Sequence, residues 1–94
     1  MGGAEFTQLR AFVAVAERCS FRKAANHLGL APSTMSQTVR ALEDRLDVRL
    51  LNRTTRSVRL THAGELLLAR VQPLLQDLAQ SLHQVGNTDT GRLR

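Results

Sequence analysis

The stretch APSTMSQTVRALE, Ala31 to Glu43, opens as a helix would, yet it carries small hydroxyl and amide side chains where a buried helix would carry bulk. Pro32 suits the first turn, where its missing N–H leaves nothing unbonded. Met35, Val39, Leu42 and Leu46 then form a buried stripe at i, i+4, i+7 and i+11. At about 100° per residue, Ser33, Gln37, Arg40 and Asp44 point away from that stripe, with Thr34 and Ser36 on its flanks. The outward N-terminal half is therefore small, polar and free of carboxylates, with Arg40 one turn later. A helix that reads base edges in a groove needs such a surface.

Working back along the chain, Ser20 offers an N-cap, and Phe21, Ala24, Ala25 and Leu28 repeat at helical spacing before Gly29 supplies a left-handed stop. Small Ala24 and Ala25 let another helix approach closely, and Gly29-Leu30-Ala31 leaves only a tight connection, so these two helices cross steeply. Phe6, Leu9, Phe12, Val13 and Ala16 mark an earlier amphipathic helix over residues 7–18, with Thr7 as its N-cap. Cys19 reads as a small space-filler near its end.

Working forward, Val48, Leu50 and Leu51 and then Val58-Arg59-Leu60-Thr61 are two short strand-like runs around a polar turn without glycine, which predicts a β-hairpin with an extended tip. Residues 49–62 hold four arginines, Arg49, Arg53, Arg56 and Arg59, and no acid. Thr61 caps a final helix from His62, in which Leu68, Val71, Leu75, Leu78, Leu82 and Val85 keep a strict 3,4,3,4,3 spacing. That heptad seam is expected to pair with a second copy, the first turns packing on their own domain through Leu66 and Leu67. Pro73 should bend the helix near Ala69-Arg70. The polar, glycine-bearing tail from Gly86 reads as a linker.

The chain has 94 residues, 43% of them hydrophobic, which suffices for one small domain and not for a two-domain enzyme. Its three aromatic residues are all Phe, so the core rests on Leu, Val and Ala and favours packed helices. Residues 1–60 carry ten basic and five acidic side chains and residues 61–94 three of each, so the whole net charge of +5 lies in the first part. All but one of the 13 basic residues are Arg, whose planar fork suits phosphate and guanine edges. A single Cys excludes an internal disulfide and suits a reducing compartment. No apolar run approaches a membrane span and no signal-peptide pattern opens the chain, so the reading is cytoplasmic, with no membrane partner.

Helix, helix, tight turn, helix, basic hairpin and long helix give a mainly α fold, a winged helix-turn-helix: a three-helix core plus a two-stranded β-wing, followed by a long dimerisation linker helix. The block LRAFVAVAERCSFRKAANHLGLAPSTMSQTVRALEDRLDVRLLNRTTRSVRLTHAGE resembles the N-terminal DNA-binding domain of the LysR-type transcriptional regulators. Phe21, Ala24-Ala25, Leu28, Ser33, Ser36, Leu42-Glu43, Leu46, Leu50-Leu51, Arg53, Leu60-Thr61 and Ala63-Gly64 carry the likeness. It implies sequence-specific binding of partly palindromic double-stranded DNA for transcriptional control, as a homodimer or, in the full-length protein, a tetramer. It also implies a separate effector-binding domain, with Gly91-Arg-Leu-Arg94 leading toward it. The expected organisation is DNA-binding domain 1–61, dimerisation helix 62–86 and hinge 87–94.

The resemblance places the base-reading positions on Pro32, Ser33, Ser36 and Gln37 and a minor-groove wing arginine on Arg56; Thr34 and Arg40 join the reading helix from their phase, and Arg53, Thr54, Thr55 and Ser57 complete the wing, with Arg53 and Thr54 or Thr55 on phosphates. Ala31 cannot cap through its side chain, Pro32 stands where many members carry an amide, and Gln37 replaces a frequent Arg, shifting preference from guanine toward adenine edges. Ser20, Arg22 and Lys23 either cap and solvate helix two or clamp the DNA backbone with its positive end. Leu68, Val71, Leu75, Leu78, Leu82 and Val85 are the expected dimer interface. His27, His62 and His83 are too scattered for a metal site, and Ser36, His62 and Asp47 lack a nucleophile elbow, so no metal, cofactor or catalytic residue is expected. The competing readings are a winged-helix protein-interaction module and a non-specific nucleoid-type binder.

Overall fold

The structure, a computed structural model, describes the backbone of residues 3–54 and 57–92 and the side chains of residues 5–54 and 57–85. The order is α1 (Gly3–Arg18), α2 (Phe21–Leu28), α3 (Pro32–Leu46), β1 (Leu51–Arg53), β2 (Val58–Leu60) and α4 (His62–Arg92). This is the expected winged helix-turn-helix with a long trailing helix.

α1 is the central element, packed against α2, α3, α4 and β2. Covered from several sides, it buries Ala11, Phe12, Val13, Ala14 and Val15 in one run, wider than the single stripe its sequence suggests. It also starts earlier than expected, so Thr7 lies inside the helix and is not its N-cap. Cys19 ends it with φ +53° and an exposed thiol, not as a packed space-filler.

The capping signals of α2 are realised. Ser20 Oγ accepts from the Lys23 N–H at 3.1 Å. Gly29 takes φ +73°, and the Leu30 N–H returns to the Ala25 carbonyl at 2.8 Å, closing the helix in a Schellman turn. α3 begins with Pro32 after Ala31, which gives no side-chain cap, and ends at Asp47 in the left-handed region. Met35, Val39 and Leu42 are buried as the stripe requires, whereas Leu46 is 45% exposed because the chain turns away at Asp47 before anything covers the last turn.

The wing pairs Leu51 with Leu60, Asn52 with Arg59 and Arg53 with Val58, antiparallel. Leu50 and Leu51 are buried, with Val58 and Leu60 packed against the core, which roots the wing. Thr61 joins wing to α4: its Oγ1 donates to the Arg49 carbonyl at 2.6 Å and accepts from the Gly64 N–H at 3.0 Å, while its own N–H reaches the Leu50 carbonyl at 3.0 Å. Gly64 is obligatory here, since a Cβ on it would sit 2.2 Å from the Leu50 carbonyl oxygen.

The α4 backbone stays helical across Pro73 and on to Arg92, past the Gly86 boundary expected from composition. Extending an existing helix adds one hydrogen bond per residue fixed, and neither Gly86 nor Gly91 removes an N–H as a proline would. The molecule accordingly measures 53 × 24 × 21 Å. Val71 is buried in the core, Leu67, Leu68 and Leu75 pack against it, and Leu78, Leu82 and Val85 are exposed. Leu66, expected to pack inward, is also exposed.

Candidate nucleic-acid interface

α3 is oriented by Met35, Val39 and Leu42, so Pro32, Ser33, Thr34, Gln37 and Arg40 are all exposed on one continuous side and Ser36 is half-buried at its margin. The first turn of α3 has no acidic residue, so the partial positive charge of its free N–H groups is unopposed there. Thr38 Oγ1 donates to the Thr34 carbonyl at 2.7 Å, turning that hydroxyl back onto its own helix. Arg40 borders an open polar cleft of about 540 Å³ with Glu43, Asp44, Asp47, Val48, Arg49 and Arg53. Acids therefore stand one turn behind the reading positions and not among them.

The wing departs from expectation at Arg53. Its guanidinium lies 4.3 Å from the centre of the Phe21 ring, donates from NH1 to Ser36 Oγ at 2.7 Å, and has NH2 4.0 Å from Glu43 Oε1. Burial lowers its pKa from the ordinary arginine value; the Glu43 carboxylate opposes that, and Arg40 and Arg49 add to it. Arg53, expected on a phosphate, has its guanidinium turned toward α2 and α3, where an aromatic face, a hydroxyl and a carboxylate converge on it. At the tip, the Ser57 N–H donates to Thr54 Oγ1 at 2.9 Å and the Thr54 N–H to the Ser57 carbonyl at 2.8 Å, so these two residues close the turn. Thr55 and Arg56, the other two wing positions, lie outside the described residues.

Glu43, given no role in the sequence reading, organises the site. Its Oε2 accepts from the N–H groups of Leu50 and Leu51 at 2.8 and 3.1 Å, fixing the root of the wing to α3, and its side chain is only 14% exposed. The acid-free hairpin was the clue: a cluster of arginines with no internal counter-charge leaves the nearest carboxylate of α3 as partner. Of the α2 candidates, Ser20 spends its oxygen on the cap, and Arg22 and Lys23 are exposed beside it.

The seam divides. Val71, one of the six positions expected to face a second copy, is buried in the domain's own core, and Leu68 and Leu75 pack partly buried against it. Gln72 Nε2 donates to Glu17 Oε2, holding this part of α4 to α1. Leu78 and Leu82 instead line a groove with Phe6, Arg10, Leu75 and Ala79. No described helix is long and apolar enough to cross a membrane.

Residues 6–65 match the family model described as "Bacterial regulatory helix-turn-helix protein, lysR family". The chain belongs to the lysR family. Among curated relatives, it is 48% identical over 93 residues to the HTH-type transcriptional regulator PgrR of Escherichia coli, covering 96% of this chain and 31% of that protein. It is 47% identical over 89 residues to the HTH-type transcriptional regulator PtxR of Pseudomonas aeruginosa, covering 92% and 28%. The lysR-family chain thus spans under a third of the length of these relatives. Among solved structures, it matches BenM_DBD in complex with catB site 1 DNA with a TM-score of 0.78 and 34% identity, over 86% of this chain and 90% of that one. It matches oxidised OxyR of Corynebacterium glutamicum with a TM-score of 0.79 and 39% identity, over 84% and 26%.

Proposed function

We propose that this chain is the DNA-binding part of a transcriptional regulator, reading a specific duplex through α3 and holding it by its wing. The observation that carries this reading is the exposed, acid-free N-terminal side of α3, with Ser33, Gln37 and Arg40 in line and a wing of arginines fixed beside it. In this mechanism the N-terminus of α3 enters the major groove. Gln37 takes an adenine edge, Pro32, Ser33 and Thr34 meet bases or phosphate nearby, Ser36 donates from the margin, and Arg40 meets the groove wall. Arg56 enters the neighbouring minor groove, reading its width more than its bases, with Thr55 beside it. Arg22 and Lys23 contribute phosphate contacts from the start of α2.

The relative bound to its site DNA and those named transcriptional regulators support this reading. Residues 1–61 form the reading head, the exposed stripe Leu78, Leu82 and Val85 pairs with a second copy on a partly palindromic site, and an effector-responsive domain belongs to the whole protein, which works in the cytoplasm without catalytic activity of its own.

The test is a titration of the chain against random duplexes and the tightest duplex selected from a random pool, over a salt series. Affinity should fall steeply with salt and exceed non-specific affinity by at least about 10³-fold. Arg56→Ala should weaken binding to all duplexes and reduce the salt slope by about one counterion. Steep salt dependence with no sequence preference would refute the regulator reading, and no binding at moderate salt would remove DNA as partner.

A further inference from the structure

Arg53 and Ser36 are joined by a 2.7 Å hydrogen bond across 17 residues, on the side of α3 that meets the wing. A serine hydroxyl has one proton to give and two lone pairs to accept with. A guanidinium has only protons to give. The direction of this bond is therefore unambiguous: Arg53 donates, one lone pair of Ser36 Oγ is occupied, and the hydroxyl proton is directed away from the guanidinium. Ser36 gives that proton to no acceptor among the described residues, and the neighbouring Thr38 shows the alternative, spending its own on the carbonyl four residues back. A cation donating to a hydroxyl also polarises it, strengthening the proton it offers onward.

Beyond Ser36, Arg53 is itself held from two further directions. Phe21 presents its ring at 4.3 Å, Glu43 lies at 4.0 Å, and the same carboxylate fixes the Leu50 and Leu51 N–H groups. Ser36 and Glu43 stand seven residues apart on α3, about 10 Å along its axis. Their side chains converge on the one guanidinium, tying β1 to two levels of the same helix.

We propose that Arg53 is a positioning residue that acts through Ser36: by occupying one lone pair of its hydroxyl it fixes and polarises the serine so that its proton is offered to an acceptor atom on the DNA. A phosphate oxygen or a base acceptor such as purine N7, guanine O6 or thymine O4 takes that proton. The inference rests on the DNA-binding reading above, and it removes Arg53 from the phosphate contacts.

The experiment is a double-mutant cycle on the selected duplex, with Ser36→Ala, Arg53→Gln and the pair, each measured over a salt series after urea unfolding has established the folded fraction. Arg53→Lys serves where Arg53→Gln unfolds, since it keeps the charge and loses the planar fork. Ser36→Ala should weaken binding about tenfold. Either Arg53 variant should weaken binding by a comparable factor in the wild-type background and by little in the Ser36→Ala background, without changing the salt slope. Replacing purines of the duplex with 7-deazapurines one at a time, and phosphates with methylphosphonates, locates the acceptor. Whichever replacement costs wild type affinity and leaves Ser36→Ala unaffected identifies it as base or backbone. Additive losses, a silent Ser36→Ala, or a salt slope reduced by about one in an Arg53 variant would each overturn the proposal. Wild-type protein that shows no sequence preference would instead refute the regulator reading beneath it.

Discussion

Replacing Glu43 tests whether one carboxylate holds the wing. Its Oε2 accepts two backbone N–H bonds, at 2.8 and 3.1 Å, and the side chain is 14% exposed. Hydrogen bonds to a charged acceptor contribute roughly 1.5–3 kcal/mol each. Taking the lower figure for each bond, and nothing for the 4.0 Å contact with Arg53, Glu43→Ala should cost about 3 kcal/mol. A domain of this size has roughly 5–14 kcal/mol to lose, and its Tm moves about 4–8 °C per kcal/mol, so the midpoint should fall by roughly 12–24 °C. Glu43→Gln retains one oxygen acceptor without the charge and should lose about half as much. Urea unfolding followed by circular dichroism gives the free energy, and amide hydrogen exchange shows where it goes: Leu50, Leu51 and Leu60 should lose protection before α1 does. A loss under about 0.5 kcal/mol with unchanged exchange in the wing would refute the reasoning, because it would mean that strand packing alone fixes the hairpin.

Gly64→Ala should destabilise the fold by about 1–3 kcal/mol despite alanine's better helix propensity, because its Cβ would meet the Leu50 carbonyl oxygen at 2.2 Å; thermal melting checks this. Cys19→Gly should stabilise by roughly 1 kcal/mol, since Cys19 holds φ +53°, and the wild-type thiol should react with a disulfide reagent in the native state at the rate of an exposed cysteine. Leu78→Glu should abolish self-association in analytical ultracentrifugation with the melting temperature of the domain unchanged, whereas Val71→Ala should lower stability by about 1–2 kcal/mol, the residue being only 8% exposed.

What the sequence disclosed was what short-range geometry controls. The stripe of Met35, Val39 and Leu42 follows from helical period alone, and the caps at Ser20, Gly29 and Thr61 are hydrogen bonds formed within a few residues. Arg53 illustrates the other kind. Its position in a basic hairpin suggested phosphate, but its environment is assembled from Phe21, Ser36 and Glu43, which only the packing of α2 and α3 brings to it. The same holds for the seam: its spacing is equally regular on both sides of Leu75, and only the tertiary packing of α4 distinguishes buried Val71 from exposed Leu78, Leu82 and Val85. Cys19 gave no warning of its left-handed conformation, which a cysteine adopts only where the chain on either side dictates it.

The continuous α4 has a further consequence as a shaft. Val71 keys one end of it into the domain and Leu78, Leu82 and Val85 mark its far side, with helical backbone throughout. Every added or deleted residue between Leu75 and Leu78 would rotate the far mark by about 100° and shift it about 1.5 Å relative to α3. The angle between the reading helix and whatever grips the far end is thus counted out in residues, and one insertion there would re-aim the head without altering a single side chain in it.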